Sequence, residues 1–163
     1  MLGPILFLGL TIGIIVSCSN SECFDNQNSL PLAGFYSSGE APTAISIDSI
    51  SIYGVGAPGD SILQDSVRSL SEVYLPFRID QESTTYVIRY LAGIPGILRM
   101  ADTITFKYNI KPMFVSSACG TVYYYEMDTI ETTHFFIDSV SCPRGTITNA
   151  NIQNLRIYFR VDV

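Results

Sequence analysis

Thr103-Ile104-Thr105-Phe106-Lys107-Tyr108-Asn109-Ile110 alternates without a fault. Ile104, Phe106, Tyr108 and Ile110 fall on one face, and Thr103, Thr105, Lys107 and Asn109 on the other. A period of two with one apolar and one polar face is the signature of a half-buried antiparallel strand. The rest of the chain carries the same pattern in shorter pieces.

Downstream, Pro112–Val115 is followed by a strand over Ala118–Met127 that contains Tyr123-Tyr124-Tyr125, and by another over His134–Val140. The last strand is predicted over Leu155–Val161, with Leu155, Ile157, Phe159 and Val161 facing the core and Arg156, Tyr158 and Arg160 facing out. Upstream, Thr84–Leu91 puts Tyr86, Ile88 and Tyr90 on one side, and Leu91–Met100 reads as an apolar loop with Gly and Pro. Val73–Arg78 is a strand that Pro76 confines to a sheet edge, since proline cannot donate to a ladder. Ile62–Gln64 is short, and Leu32–Tyr36 comes first. In Ala44–Tyr53 the phase flips: Ile45 and Ile47 share one side, Ile50 and Ile52 the other, which predicts a bulge or break at Asp48-Ser49.

Eight or nine short strands with turn signals between them, and no segment of convincing helical period, predict an all-β, antiparallel two-sheet sandwich of immunoglobulin-like type. The composition agrees: ten Tyr and nine Phe, with twelve Gly and eight Pro for turns. Asp followed by Ser or Thr and then Ile or Val recurs at Asp48, Asp60, Asp102, Asp128 and Asp138. The spacing is irregular, so this is turn chemistry in which short polar side chains satisfy backbone groups, and not a structural repeat.

The first residues are of another kind. Met1–Ser17 holds no charge, and Ile5–Val16 is almost wholly apolar. As a helix its twelve residues would span about 18 Å, short of a bilayer core of about 30 Å, so the run suits the apolar region of a signal peptide. It ends Ile15-Val16-Ser17-Cys18, which resembles a bacterial lipobox. In that pathway the chain is cut before Cys18, whose sulfur carries a diacylglycerol and whose new amino group carries a further acyl chain. Each buried acyl CH₂ contributes about 0.8 kcal/mol, so two or three chains anchor a domain firmly where one does not. No Lys or Arg occurs before Arg68, so either the natural start lies upstream of Met1 or the signal is atypical. The organisation expected is a signal peptide over 1–17, a polar tether over 18–29 and a β-sandwich over 30–163. A tether of about ten extended residues reaches at most roughly 35 Å, which keeps the domain near the membrane.

A net charge of −6 with only two lysines argues against nucleic acid, which requires a basic face. With Cys18 lipidated, Cys23, Cys119 and Cys142 remain, an odd number in an oxidising compartment; one disulfide and one spare thiol are expected. No Cys-x-x-Cys occurs and His134 is the only histidine, so no zinc site is indicated.

Several pieces together resemble small lipoproteins of unknown function from Bacteroidota. They are Cys18 with Cys23, Asp48-Ser49-Ile50-Ser51-Ile52-Tyr53-Gly54, Asp102-Thr103-Ile104-Thr105-Phe106, Phe114-Val115-Ser116-Ser117-Ala118-Cys119-Gly120, and Asn154-Leu155-Arg156-Ile157-Tyr158-Phe159. The resemblance covers most of the mature chain, and the Ala-Cys-Gly step is its most specific part. It implies that Cys23 and Cys119 belong to a common framework and favours their pairing, with Cys142 an addition. In the chain-entropy account, closing so long a loop is worth roughly 4 to 5 kcal/mol before strain. The family has no assigned activity.

Candidate sites are few. Tyr123 and Tyr125 share a face of their strand and could stack on a sugar ring, as in a carbohydrate-binding module of a glycan-uptake system; covering a sheet, with hydroxyls at the rim, explains them as well. His134 lacks a partner in the sequence. Glu126, Asp128 and Glu131 lack the dense oxygen spacing of a calcium loop and read as a solvated turn. Ser116-Ser117 has no nucleophile context, and the Gly54–Asp60 loop precedes no helix that could hold phosphate. No cofactor or metal is expected, and no catalytic set. The expectation is a lipid-anchored envelope protein at the outer membrane, on its periplasmic or surface face. Its domain is non-catalytic and binds or scaffolds another envelope protein or a glycan.

Overall fold

The structure, a computed structural model, describes residues 29–57, 62–91, 100–116 and 120–160. Cys18, Cys23 and Cys119, and with them the lipidation and disulfide expectations, lie outside the described residues. Ten strands are described: β1 (Leu32–Ser37), β2 (Ile50–Gly54), β3 (Ile62–Val67), β4 (Glu72–Tyr74), β5 (Ser83–Tyr90), β6 (Met100–Ser116), β7 (Gly120–Thr132), β8 (Ile137–Ser141), β9 (Thr146–Ile147) and β10 (Gln153–Phe159). They form a four-stranded sheet, β4-β1-β10-β8, and a six-stranded sheet, β3-β2-β5-β6-β7-β9. No helix long and apolar enough to cross a membrane occurs among the described residues.

The two sheets face each other because their alternating strands leave one apolar side each. Ala33 and Phe35 of β1 and Leu155, Ile157 and Phe159 of β10 meet Ile50 and Ile52 of β2, Tyr86 and Ile88 of β5, and Ile104, Phe106 and Tyr108 of β6 in one core. The faces of β5, β6 and β10 are as their alternation predicts. One pairing differs from an all-antiparallel sandwich: β1 runs parallel to β10, from Leu32↔Gln153 to Ser37↔Phe159. These strands lie too far apart in sequence for a hairpin, and the long intervening chain permits either direction.

The phase flip of Ala44–Tyr53 marks a change of sheet. Ala44 bridges Tyr36 of the four-stranded sheet, whereas β2 begins at Ile50 in the other. Between them Ser49 takes a positive φ of 56°, a conformation uncommon for a residue with a Cβ. Asp48 holds this crossing by accepting the backbone N–H of Ser69 at 2.6 Å and its hydroxyl at 3.1 Å.

β6 is longer than its alternating core and continues through Pro112 to Ser116. β5 starts at Ser83, opposite Lys107, so beyond that point β6 pairs only with β7. Proline is tolerated there because that side of β6 is an edge. Glu126, Asp128 and Glu131 are not in a turn. They lie on β7, with Asp128 at an irregularity where the register shifts between Lys107 and Tyr108. The two-residue β9 joins Tyr125 and Glu126 of β7 and brings the strands to ten.

Candidate functional site

The sandwich has two ends. At one, the start of β6 meets the segment that leads into β8. Asp102 is fully buried and accepts hydrogen bonds from the N–H groups of Phe135 (2.7 Å), Phe136 (2.8 Å) and Ile137 (3.0 Å), and from the hydroxyls of Thr133 (2.8 Å) and Tyr90 (2.9 Å). Burial alone would push this carboxyl up; the donors from Phe135, Phe136, Ile137 and Thr133 outweigh it and hold the group below its usual range. Desolvation and the adjacent carboxylate push the Tyr90 phenol well up. All five donors come from the chain itself, so the arrangement is a clamp between the sheets. His134 sits beside it, exposed, with Nδ1 3.3 Å from the Ile137 carbonyl oxygen.

At the other end lie the starts of β1, β5 and β10 and the segment 75–82. The Leu75 N–H donates to the Pro31 carbonyl at 2.9 Å. Phe77 crosses into the core, its ring stacked on Tyr108 (centroids 4.6 Å apart, 7° between planes) and edge-on to Tyr125 at 5.3 Å. A closed polar circuit fixes this crossing: the Arg78 N–H donates to Thr84 Oγ1 (3.0 Å), Thr84 Oγ1 donates to Tyr108 Oη (2.7 Å), and Tyr108 Oη donates to the Arg78 carbonyl (2.8 Å).

Here the tyrosine run can be placed. Tyr125 is buried, 3% exposed, with its ring among Phe77 and Tyr108 and its hydroxyl 3.5 Å from the Phe77 carbonyl. Burial pushes its phenol up to about 12. Tyr123 shares that face and packs, half-buried, against the core, while Tyr124 points the other way and donates to Asn149 at 3.1 Å. Tyr123 and Tyr125 therefore do not form the outward stacking pair considered from the sequence, because the face they share is the core face.

Past Ile110 and Tyr125 the strands β6 and β7 pair only with each other, through Met113↔Val122 and Phe114↔Thr121, and Val122 is still buried there, at 2% exposure. Met113, Phe114 and Val115 are 45%, 70% and 49% exposed. Three successive exposed apolar side chains differ from the singly scattered ones of an ordinary surface. The sequence signal was present: strict alternation ends at Ile110, and an unbroken apolar run follows Pro112.

The remaining chemistry is dispersed. Glu126 pairs with Lys111 at 3.3 Å and Glu131 with Lys107 at 2.5 Å, both exposed. No group of three or more His, Cys, Asp or Glu that could hold a metal ion occurs among the described residues. Cys142 is half-buried before the turn closed by the Gly145 N–H on its carbonyl (3.0 Å), and burial pushes its thiol up. On the outer face of the six-stranded sheet a cleft of about 300 Å³ is lined by Ser51, Tyr53, Asp65 and Arg89, whose guanidinium lies 4.6 Å from the Tyr53 ring centre.

A protein-family model described as a family of unknown function (DUF6452) matches residues 49–159. The matched span runs from the sheet crossing at Ser49 to the end of β10. No curated protein and no solved structure matches the chain.

Proposed function

The chain belongs to this family of unknown function, and from that premise we propose that it is a lipid-anchored protein of the bacterial cell envelope, whose sandwich binds or scaffolds another envelope component without catalysing a reaction. The observation that carries the reading is the sequence Ile15-Val16-Ser17-Cys18, which closes an uncharged apolar run with a cysteine 14 residues ahead of the first described strand, β1 at Leu32. A domain held this way needs no spanning helix, because the acyl chains supply the affinity. The Asp102 carboxylate and the Arg78–Thr84–Tyr108 circuit are consumed in holding the fold, so neither is offered as reacting chemistry.

Intact mass of the membrane-extracted protein tests the anchor, measured before and after reduction and alkylation. The expected species starts at Cys18 and carries a diacylglycerol and one acyl chain. An unmodified chain still starting at Met1 would overturn the envelope assignment.

A second reading, glycan binding, has one observation in its favour. The cleft at Tyr53 and Arg89 combines an aromatic ring with a guanidinium, a carboxylate and a hydroxyl, a mixture suited to a small polar ligand. A glycan array with no hit, or a hit unchanged by Tyr53→Ala, would remove it.

A further inference from the structure

We propose that the cleft on the outer face of the six-stranded sheet takes a hydroxylated carboxylate, an acidic sugar of the uronic type, with its carboxylate on Arg89 and its hydroxyls on Asp65. This rests on the glycan-binding reading above and gives the ligand its chemical class.

Three neighbouring strands build the cleft. Ser51 and Tyr53 lie on β2, Asp65 and Ser66 on β3, and Arg89 on β5 directly opposite Ser51. β2 and β3 fall out of step at this place. Ile50 pairs with Val67 and Ile52 with Gln64, so the steps from 50 to 52 on β2 meet those from 64 to 67 on β3. The extra residue makes a bulge, and Ser66 within it takes a positive φ of 51°. That conformation is costly for a residue with a Cβ, and bulges re-aim the side chains they carry.

The result is a fixed carboxylate. The hydroxyls of Ser51 (3.2 Å) and Ser66 (3.0 Å) donate to Asp65 Oδ1, and the Ser66 N–H donates to Ser51 Oγ at 3.0 Å. Ser51 is buried, at 8% exposure, so its hydroxyl is committed to holding Asp65. Both bonds fall on Oδ1; Oδ2 accepts from no other described residue. A carboxylate can only accept, and hydroxyl donors extend the network that the two serines begin.

The other wall is a cation. The Arg89 guanidinium lies 4.6 Å from the centre of the Tyr53 ring, a cation–π contact that keeps it in place. Among the described residues the ion pairs are Arg78–Asp80, Lys107–Glu131, Lys111–Glu126 and Arg160–Asp138, and Arg89 takes part in none of them. Asp65 and Arg89 thus line one cleft without pairing. Their strands flank β2 and are about 10 Å apart by ordinary sheet spacing. A planar guanidinium presents a fork of N–H donors that matches a carboxylate. A neutral sugar would satisfy only the Asp65 wall and a simple anion only the Arg89 wall. A ring bearing a carboxylate and hydroxyls satisfies both. At about 300 Å³ the cleft is at the small end of ligand sites and suits one such ring. The net charge of −6 is screened beyond about 8 Å at physiological salt, so the guanidinium at contact distance decides the encounter.

The test is isothermal titration calorimetry of the full chain in detergent with glucuronate, glucose, acetate and glycine. Glucuronate is expected to bind, and the other three to bind roughly tenfold or more weakly, since each lacks some of its charge-assisted bonds. Arg89→Gln should lower glucuronate to the level of glucose. Arg89→Lys should restore part of the affinity, because the charge returns without the fork. Arg89 is exposed, and an unchanged urea midpoint verifies that both variants fold.

Glucose that binds as tightly as glucuronate, with neither altered by Arg89→Gln, overturns the acid selectivity and leaves the glycan reading standing. Acetate or glycine that matches glucuronate overturns the sugar assignment and makes the cleft a general carboxylate site. No binding of any of the four, together with no hit on an array of neutral and uronate-containing glycans, removes the glycan reading and this proposal with it.

Discussion

Asp102 on β6 accepts the backbone N–H of Ile137 on β8 at 3.0 Å, so a single carboxylate ties the six-stranded sheet to the four-stranded one. Removing its charge leaves N–H groups aimed at an oxygen that no longer compensates them. Asp102→Asn retains the shape but places an amide among donors. Because hydrogen bonds to an ionised group are the stronger kind and unmet buried donors are costly, the expected loss is about 3 kcal/mol or more in urea unfolding. A loss below about 1 kcal/mol would show that the clamp is dispensable.

The same group sets part of the acid limit of stability. Its folded-state pKa lies below the unfolded value of 3.8, so the unfolded chain takes up the proton first as the pH falls. The contribution is complete above 3.8 and is lost as the pH falls through the folded value. The stability gap between the wild type and Asp102→Asn should therefore shrink below pH 3.8 and stay constant at neutral pH. A gap that is flat throughout would contradict the linkage.

At the alkaline end the phenols act. Burial raises Tyr86, Tyr90, Tyr108 and Tyr125, the last to about 12. Their stabilisation is full below the unfolded value of 10 and is lost as the pH climbs toward the folded values. Absorbance titration near 295 nm should show these four of the ten tyrosines ionising later than in the urea-unfolded chain. Ten phenols titrating together near 10 in the folded protein would refute it.

Tyr125 and Tyr124 are neighbours with opposite assignments. Tyr125→Ala opens a hole beside Phe77 and Tyr108 and should cost about 3 to 5 kcal/mol. Tyr124→Ala loses one half-exposed hydroxyl bond and should cost about 1 kcal/mol. Equal costs, read from urea midpoints, would mean that the face assignment is wrong.

Cys142 packs half-buried against the core, and burial raises its thiol. Peptide mapping after a timed iodoacetamide pulse should find it labelled far more slowly in the folded chain than in urea. Equal rates would indicate an open thiol.

The alternation of Thr103–Ile110, and that of Leu155–Val161 as far as Phe159 (Val161 lies outside the described residues), located the core correctly because period two depends only on which residues avoid water. The break at Asp48-Ser49 was visible for the same reason, although its meaning, a passage between sheets, was not. Pro112 hid the length of β6, since a proline is tolerated wherever a neighbouring strand has already ended, and the sequence does not mark where β5 stops. β9 is too short to have a period. Tyr123-Tyr124-Tyr125 showed two faces without showing which was inside, because both are tyrosine. Asp102 looked like a local turn residue, yet its backbone donors lie at Phe135, Phe136 and Ile137, a pairing no short window contains.

The parallel pairing of β1 with β10 has a bearing on timing. The four-stranded sheet has β1 and β10 at its centre, so it cannot close until Gln153–Phe159 has been synthesised. Contacts of such long sequence separation form slowly, because the whole intervening chain must be gathered first. A partly made chain therefore lacks the strand that would lock it, and stays pliable until Gln153–Phe159 has left the ribosome. If the chain is exported as proposed above, that delay keeps it fit for passage through the membrane.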